Sequence, residues 1–471
     1  MPERTYDLVI HQGSAVLPNT VEVTDIAIAK GRIVALAPNL LPYARRVIDA
    51  TGKVVLPGMI DVHVHLNEPG LDWEGFLSGS QALAAGGCTT FFDMPINGVP
   101  PTISTACLQL KCRCARRQTY LDYGFWGGLV PGNLHELRSL ADCGVVGFKA
   151  FMSSPGGPSA EHGFVAADDI TLYRGMLEIA KTGRVLALHA ESEPWVARLA
   201  AEFVRNGRTG PADYAQSRPV LAEVEAVERA LLYAEYTGCP LHFVHISSAA
   251  AVARIQEAKR RGVDVSVETC PHYLALTDED MARLGPVAKC APPLRNRREQ
   301  ADLWEMVLAG RIDIIASDHS PCPMEMKIHD NFFEAWGGIA GGQSSVAVMV
   351  EEAHLRRGMP LHALARLLAT NPARRFGLFP KKGAIQCGAD ADLVILDTNR
   401  PYVLRPEHLF QRHPHSPYIG RRLRVRVEKT LVRGQVVYDA DRVAPFPDEP
   451  AGQWVKPAGS VRKEPSFAHG S

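Results

Sequence analysis

Between residues 58 and 379 eight short apolar runs recur, each followed by a stretch of helical or loop character. In chain order they are MIDVHVHL, CTTFFDMPI, YGFWGGLV, VVGFKAF, VLALHAE, LHFVHIS, VSVETCPH and IDIIASDH. Near-continuous apolar runs of this length read as strands buried on both faces. Segments such as EVEAVERALLYAEYTG and AAAVARIQEAKRRG carry helical periodicity, the second closed by Gly262. Eight βα units in one region predict an α/β fold, a (β/α)8 TIM barrel rather than an open doubly wound sheet. No GxGxxG follows the first strand, which argues against a dinucleotide-binding fold.

The flanking segments have a different texture. Residues 1–57 hold short alternating strands broken by glycine turns, in YDLVIHQGSAVL, VTDIAIAKGRIVALAP and RRVIDATGKVVLPG. The same texture returns over 380–443, in GAIQCGADADLVILD and VRVEKTLVRGQVVYDA. Each piece alone is a poor domain, so the two are expected to pair into one small composite β-sandwich beside the barrel of 58–379. Residues 444–471 are rich in Pro, Gly and Ser and are expected to be a partly disordered surface extension, with no functional need for the last fifteen or so.

Lys+Arg and Asp+Glu both number 51, so nothing favours a nucleic-acid or membrane-surface partner. There is no basic segment followed by a long apolar stretch at the N-terminus, and a cytoplasmic location is expected. The ten cysteines are dispersed, with Cys88, Cys239 and Cys270 in strand-like runs, as for buried free thiols in a reducing compartment. Cys112 and Cys114 form a CxC in a basic, helix-like stretch where zinc is not expected.

Six residues stand at or near the ends of strands 1, 4, 5, 6 and 8: His63, His65, Lys149, His189, His245 and Asp318. Residues two apart on a strand share a face, so the HxH pair can reach one metal. Neutral imidazoles and a carboxylate suit zinc and similar divalent ions, and barrel enzymes place their chemistry at this end. One such histidine alone would read as a hydrogen-bonded core residue; four with an aspartate, all at one end, read as a centre for two divalent ions. Zinc is the expected metal, with manganese, cobalt and iron compatible. Lys149 has no lone pair as an ammonium, and a buried charge is costly. The residues alone leave two readings open, an ordinary lysine paired with an acid or an N6-carboxylysine bridging two metals. Two cations would activate a shared water and polarise a carbonyl, while Asp318 moves the proton to the leaving nitrogen. Ser320 lacks a GxSxG elbow and is expected to touch substrate or support the site. His413 and His415, in a Pro-broken loop, and His319, on the opposite strand face, are not expected to be ligands.

The segments HVHLNEPGLDWEGF, DMPIN, GFKAF, LALHAES, VHISS, VETCPHYL, KCAPPLR, SDHSPC and AWGGIAGGQ resemble the amidohydrolase superfamily over residues 5–455. Within it the chain is similar to the cyclic amidohydrolases, and the NEPG…WEGF and AWGGIAGGQ elements resemble the allantoinase branch. The resemblance implies that His63, His65 and Asp318 hold the more buried metal, that His189 and His245 hold the other, and that carboxylated Lys149 bridges them. It implies a TIM barrel with a composite β-sandwich, a homotetramer, and hydrolysis of the ring of allantoin to allantoate in purine breakdown. Hydantoinase or dihydropyrimidinase activity is the alternative; a non-catalytic scaffold is disfavoured because all six ligands are present. Substrate contacts are expected from backbone near Ala291 and from 337–342, including Gly337 and Gly341, and from Asn97 and Ser320. Where dihydroorotase-like relatives carry an Arg that pairs with a substrate carboxylate, this chain has Asn67.

Overall fold

The structure is a computed structural model that describes residues 5–457. The eight apolar runs become the strands of a parallel barrel. They are β1 (Met59–Val64), β2 (Cys88–Asp93), β3 (Asp122–Phe125), β4 (Gly147–Phe151), β5 (Val185–His189), β6 (Leu241–Phe243), β7 (Val265–Thr269) and β8 (Ile314–Ile315). β1, β2 and β3 pair in order, as do β4 to β8, and Gly127–Gly128 continues the third strand to pair with β4. The ring closes just past β8, where Val64 bridges His319 in parallel and the His65 N–H donates to the His319 carbonyl at 2.8 Å. Nearly every strand residue is buried, as helices outside and side chains inside require.

The surrounding helices start and stop where local chemistry dictates. Asp168 and Ser248 accept backbone N–H bonds from Thr171 and Ala251 at the starts of Asp169–Thr182 and Ala249–Arg260. Gly262, at φ 95°, takes the left-handed turn after the second of these.

Both chain ends meet in one eight-stranded sheet. Val54–Pro57, just before the barrel, pairs antiparallel with Leu393–Asp397, just after it. Leu8–Val16 lies on the other side of Val54–Pro57 and bends at Gln12, so its first half pairs with Val47–Asp49 and its second with Val54–Pro57. The composite β domain is thus one hydrogen-bonded sheet, seven strands in a path with Val47–Asp49 branching from it, over its own core of Ile10, Ile26, Ile33, Val55, Leu393 and Ile395.

A buried ionic joint ties this sheet to the barrel. Lys382 Nζ donates to Asp122 on β3 at 2.7 Å and to Asp392, with Asp390 at 3.3 Å. Arg433 donates to the other oxygen of Asp122. Burial opposes the charge on Lys382, but Asp392 and Asp122 more than offset it and hold its pKa above the usual lysine value.

Residues 444–457 are more ordered than their composition suggests. Tyr123 on β3 and the 453–455 segment exchange backbone hydrogen bonds of 2.8–2.9 Å, and Trp454 packs 6.0 Å from the Phe125 ring. Two aromatics, Phe446 and Trp454, supply the apolar area that docks the segment. The partly disordered extension expected over 444–471 is thus an ordered, docked segment over 444–457, and residues 458–471 lie outside those described. No helix among the described residues is long and apolar enough to cross a membrane. Cys88, Cys239 and Cys270 are buried free thiols.

Replacing Lys382 by Met would remove the buried cation shared by Asp122, Asp390 and Asp392, leaving Arg433 on Asp122 and the more distant Lys381 near Asp390. We expect a loss of about 3–5 kcal/mol, read as a lower urea midpoint; an unchanged midpoint would show that the joint contributes nothing.

Candidate active site

The six residues singled out above converge at the C-terminal mouth of the barrel. His63 and His65 both aim Nε2 at Asp318 Oδ1, each at 3.2 Å. Across the site His189 Nδ1 lies 3.0 Å from His245 Nε2. His245 and Asp318 sit just past β6 and β8 with φ of 40° and 46°, conformations that L residues adopt at a cost and that turn these side chains inward. Burial lowers the pKa of His65, His189 and His245, furthest for His245, where His189 and Lys149 add to it. Such rings are neutral and keep a lone pair for a ligand role.

Lys149 is wholly buried on β4, and its amine has no hydrogen-bond partner among the described residues. Burial is the main cause that lowers its pKa to about 8. Among the described residues no carboxylate hydrogen-bonds or ion-pairs with it, although Asp318 and Glu268 act on its charge from further away. His245 Nδ1 is likewise buried without a partner.

These residues open into a cavity of about 610 Å³. Asn97, Ala291, Ser320 and Gly337 line it. Gly341 does not; its carbonyl accepts from Ser345 Oγ at 3.0 Å and it lies against Tyr418. Asn67 is also off the lining, buried at φ 66°, with a side-chain amide that bonds to nothing among the described residues. Its carbonyl accepts from the Leu71 N–H at 3.3 Å, so its visible part is to shape the turn after β1.

The Amidohydrolase family matches residues 54–437. The chain belongs to that family. This amidohydrolase is similar to the allantoinase of Rubrobacter xylanophilus, 49% identical over 453 residues that cover 96% of this chain and 98% of that protein. It is 48% identical to the allantoinase of Solibacter usitatus over 456 residues, 97% of this chain and 98% of that one. Among solved structures it is similar to an L-hydantoinase (dihydropyrimidinase) from Arthrobacter aurescens, at a TM-score of 0.91 and 34% identity, covering 96% and 100% of the two chains.

Two acids of the amidohydrolase site escaped the sequence reading. Glu268 on β7 lies 2.8 Å from His63 Nδ1 and 3.1 Å from His242 Nε2, and it accepts the His245 N–H at 3.1 Å. Glu191 lies 2.9 Å from His189 Nε2 and is ion-paired with Arg218. Burial pushes both carboxyls up, but their cationic and imidazole partners hold each at about 2. Each acid engages the ring nitrogen that faces away from the site, leaving His63 Nε2 and His189 Nδ1 directed inward. Both stand in the motifs VETCPHYL and LALHAES, and the available signal was an acid at ligand level in an otherwise apolar run.

Two of the residues not expected to be ligands, His319 and His415, have other partners. His319 Nδ1 accepts from the Gly342 N–H at 3.2 Å, and His415 Nε2 donates to the Cys322 carbonyl at 2.7 Å. Among the described residues, only two groups of three His, Cys, Asp or Glu converge closely enough for one ion: His63–His65–Asp318, and the carboxylates around Lys382.

In Glu268→Gln the amide cannot hold His63 and His242 as a carboxylate does. Metal affinity should fall about 10–100-fold, read by competition with a chelator; wild-type affinity would mean that His63 is oriented without Glu268.

Proposed function

We propose that this amidohydrolase opens the ring of allantoin to give allantoate. The observation that carries the reading is the convergence on one cavity of four histidines, an aspartate and a buried amine that has no hydrogen-bond partner among the described residues. Identity of 48–49% over nearly the whole chain to allantoinases supports that substrate over the alternative, hydantoin or a dihydropyrimidine, whose structural relative is 34% identical.

The donor set fits two divalent ions. His63, His65 and Asp318 would hold one, and His189 and His245 the other. Lys149 as N6-carboxylysine would bridge them, which removes both its cationic charge and its lack of a partner. Zinc suits these donors, as do manganese, cobalt and iron. When bound, such ions lower the pKa of water and polarise a carbonyl. Asp318 stays ionised because His63, His65 and His245 outweigh its burial, so it can take a proton from attacking water. It then delivers that proton to the ring nitrogen as the C–N bond breaks. Asn97, Ser320 and the backbone at Ala291 and Gly337 face the ring and ureido arm, while Phe151 and Trp336 exclude water.

The reading is completed by a homotetramer working in the cytoplasm, without a nucleic-acid or membrane partner. Balanced charge and buried free thiols support the second part, and resemblance to the cyclic amidohydrolases supports the first.

A panel of allantoin, hydantoin, dihydrouracil and dihydroorotate on metal-replete protein tests the assignment. Allantoin should have the highest kcat/KM. Dihydroorotate should turn over poorly, by about ten- to a hundredfold or more, for want of a charge-assisted contact. The Arg218 guanidinium that lines the cavity is already paired with Glu191. Comparable efficiency on allantoin and dihydroorotate would remove the allantoinase reading.

Lys149→Ala should lose both metal and turnover, with partial return on adding short carboxylic acids that supply the missing oxygens. A fully active enzyme with an unmodified Lys149, seen by mass spectrometry, would exclude the carbamate.

A further inference from the structure

One wall of the cavity is a strap of residues 333–338, which follows β8 as turns and irregular backbone. Two buried lysines hold it. Lys289 Nζ donates to the Ala335 carbonyl and, at 3.1 Å, to that of Phe333. Lys327 Nζ donates to the carbonyls of Trp336 at 2.8 Å and Gly338 at 2.7 Å. Four carbonyls within six residues are thus taken by two side chains. The lysines come from different places, Lys289 from the loop after β7 and Lys327 from the 3-10 turn Met324–Lys327 after β8. Backbone bonds complete the attachment: the Gly338 N–H donates to the Lys289 carbonyl and the Trp336 N–H to Met326, both at 2.8 Å.

This is a costly way to fill space. Lys289 and Lys327 are 4% and 3% exposed, and neither has a carboxylate partner among the described residues. Lys289 gains only the faces of Tyr214, 4.6 Å away, and Phe332. Burial accordingly lowers Lys289 to about 7 and Lys327 to about 8. Methionines would occupy the same volume without that cost. What methionines cannot do is bind carbonyls.

The strap carries the Trp336 ring and Gly337 to the cavity. Trp336 is held edge-on by Trp73 at 4.8 Å between centroids, and Gly157 lies so close that a Cβ there would meet the ring at 2.6 Å. The wall therefore has a set shape, and the lysines fix the backbone on which that shape depends.

We propose that Lys289 and Lys327 are positioning residues that clamp 333–338 as a preformed wall and thereby set how tightly the cyclic amide binds. The inference rests on the ring-opening reading above. Neither lysine hydrogen-bonds a proposed metal ligand, so the clamp acts on binding more than on the chemical step.

The test is steady-state kinetics on metal-loaded, full-length Lys289→Met and Lys327→Met enzymes with allantoin. Each should raise KM about tenfold or more while kcat stays within about threefold and metal content is unchanged. The double variant should fall short of the product of the single effects, since both lysines hold one segment. A KM within about twofold of wild type in folded variants, a fall in kcat at constant KM, or loss of metal would each overturn the clamp. If the variants do not fold, amide hydrogen exchange on the wild-type enzyme decides. A preformed wall gives slow exchange at Trp336 and Gly338 without substrate; fast exchange that substrate slows would overturn it. Wild-type enzyme inactive on every cyclic amide would remove the underlying reading, whereas active wild type with unchanged KM in the variants would remove only the clamp.

Discussion

The site depends on the Glu268 carboxylate. It is fully buried on β7, and from there it fixes the His63 ring from β1, the His242 ring from β6 and the His245 backbone just beyond β6. A charge placed there without partners would cost several kcal/mol (~5 in round terms). Its partners are the groups that the metal site needs held still. Asp61 does related work at the seam where the ring closes: it accepts the Ser317 N–H at 3.0 Å and joins β1 to the segment just past β8; burial, the largest influence, pushes its pKa to about 6. The order of the mouth thus comes from buried acids that link different strands, with the histidines as counterparts of Glu268.

The same logic recurs wherever a charge is buried, with different acceptors. At the barrel–sheet joint Lys382 faces three carboxylates and is held protonated. At the cavity wall Lys289 and Lys327 face only carbonyls and aromatic rings, and their pKa values fall. At the metal site the Lys149 amine has no hydrogen-bond partner among the described residues and faces only the Phe151 ring, 4.9 Å away. The three environments separate a structural lysine, a positioning lysine and one suited to chemical modification.

Much of this was legible in the sequence, for a physical reason. Strands buried on both faces leave continuous apolar runs, and a ligand such as Asp318 or His189 interrupts such a run at its end. The barrel could therefore be read directly, and so could the six residues that the structure brings together at its mouth. Glu268 and Glu191 interrupt runs too, but the histidines of Glu268 lie on other strands, and Glu191, although only two residues from His189, carries no local mark that it engages that ring. Gly341 was placed at the substrate because glycine permits close approach, yet the path of the 337–342 loop is set by contacts with Ser345 and Tyr418 that no local pattern encodes. The docked 444–457 segment was hidden by its prolines and glycines, which mask the anchoring role of Phe446 and Trp454.

The pairing of Val54–Pro57 with Leu393–Asp397 also fixes an order of events during synthesis. The first of these strands leaves the ribosome long before the second exists. At about 5–20 residues per second, the roughly 340 residues between them take on the order of 20–70 s to make. Throughout that time one long edge of the N-terminal strands stays open, and an open edge invites association with other nascent chains. The barrel, whose strands pair with near neighbours in the chain, can close in the meantime and bring the two termini of its own segment together. The β domain is then a late product, templated by a barrel already in place, and a chain stalled before Leu393 would carry a closed barrel beside an unfinished, adhesive sheet.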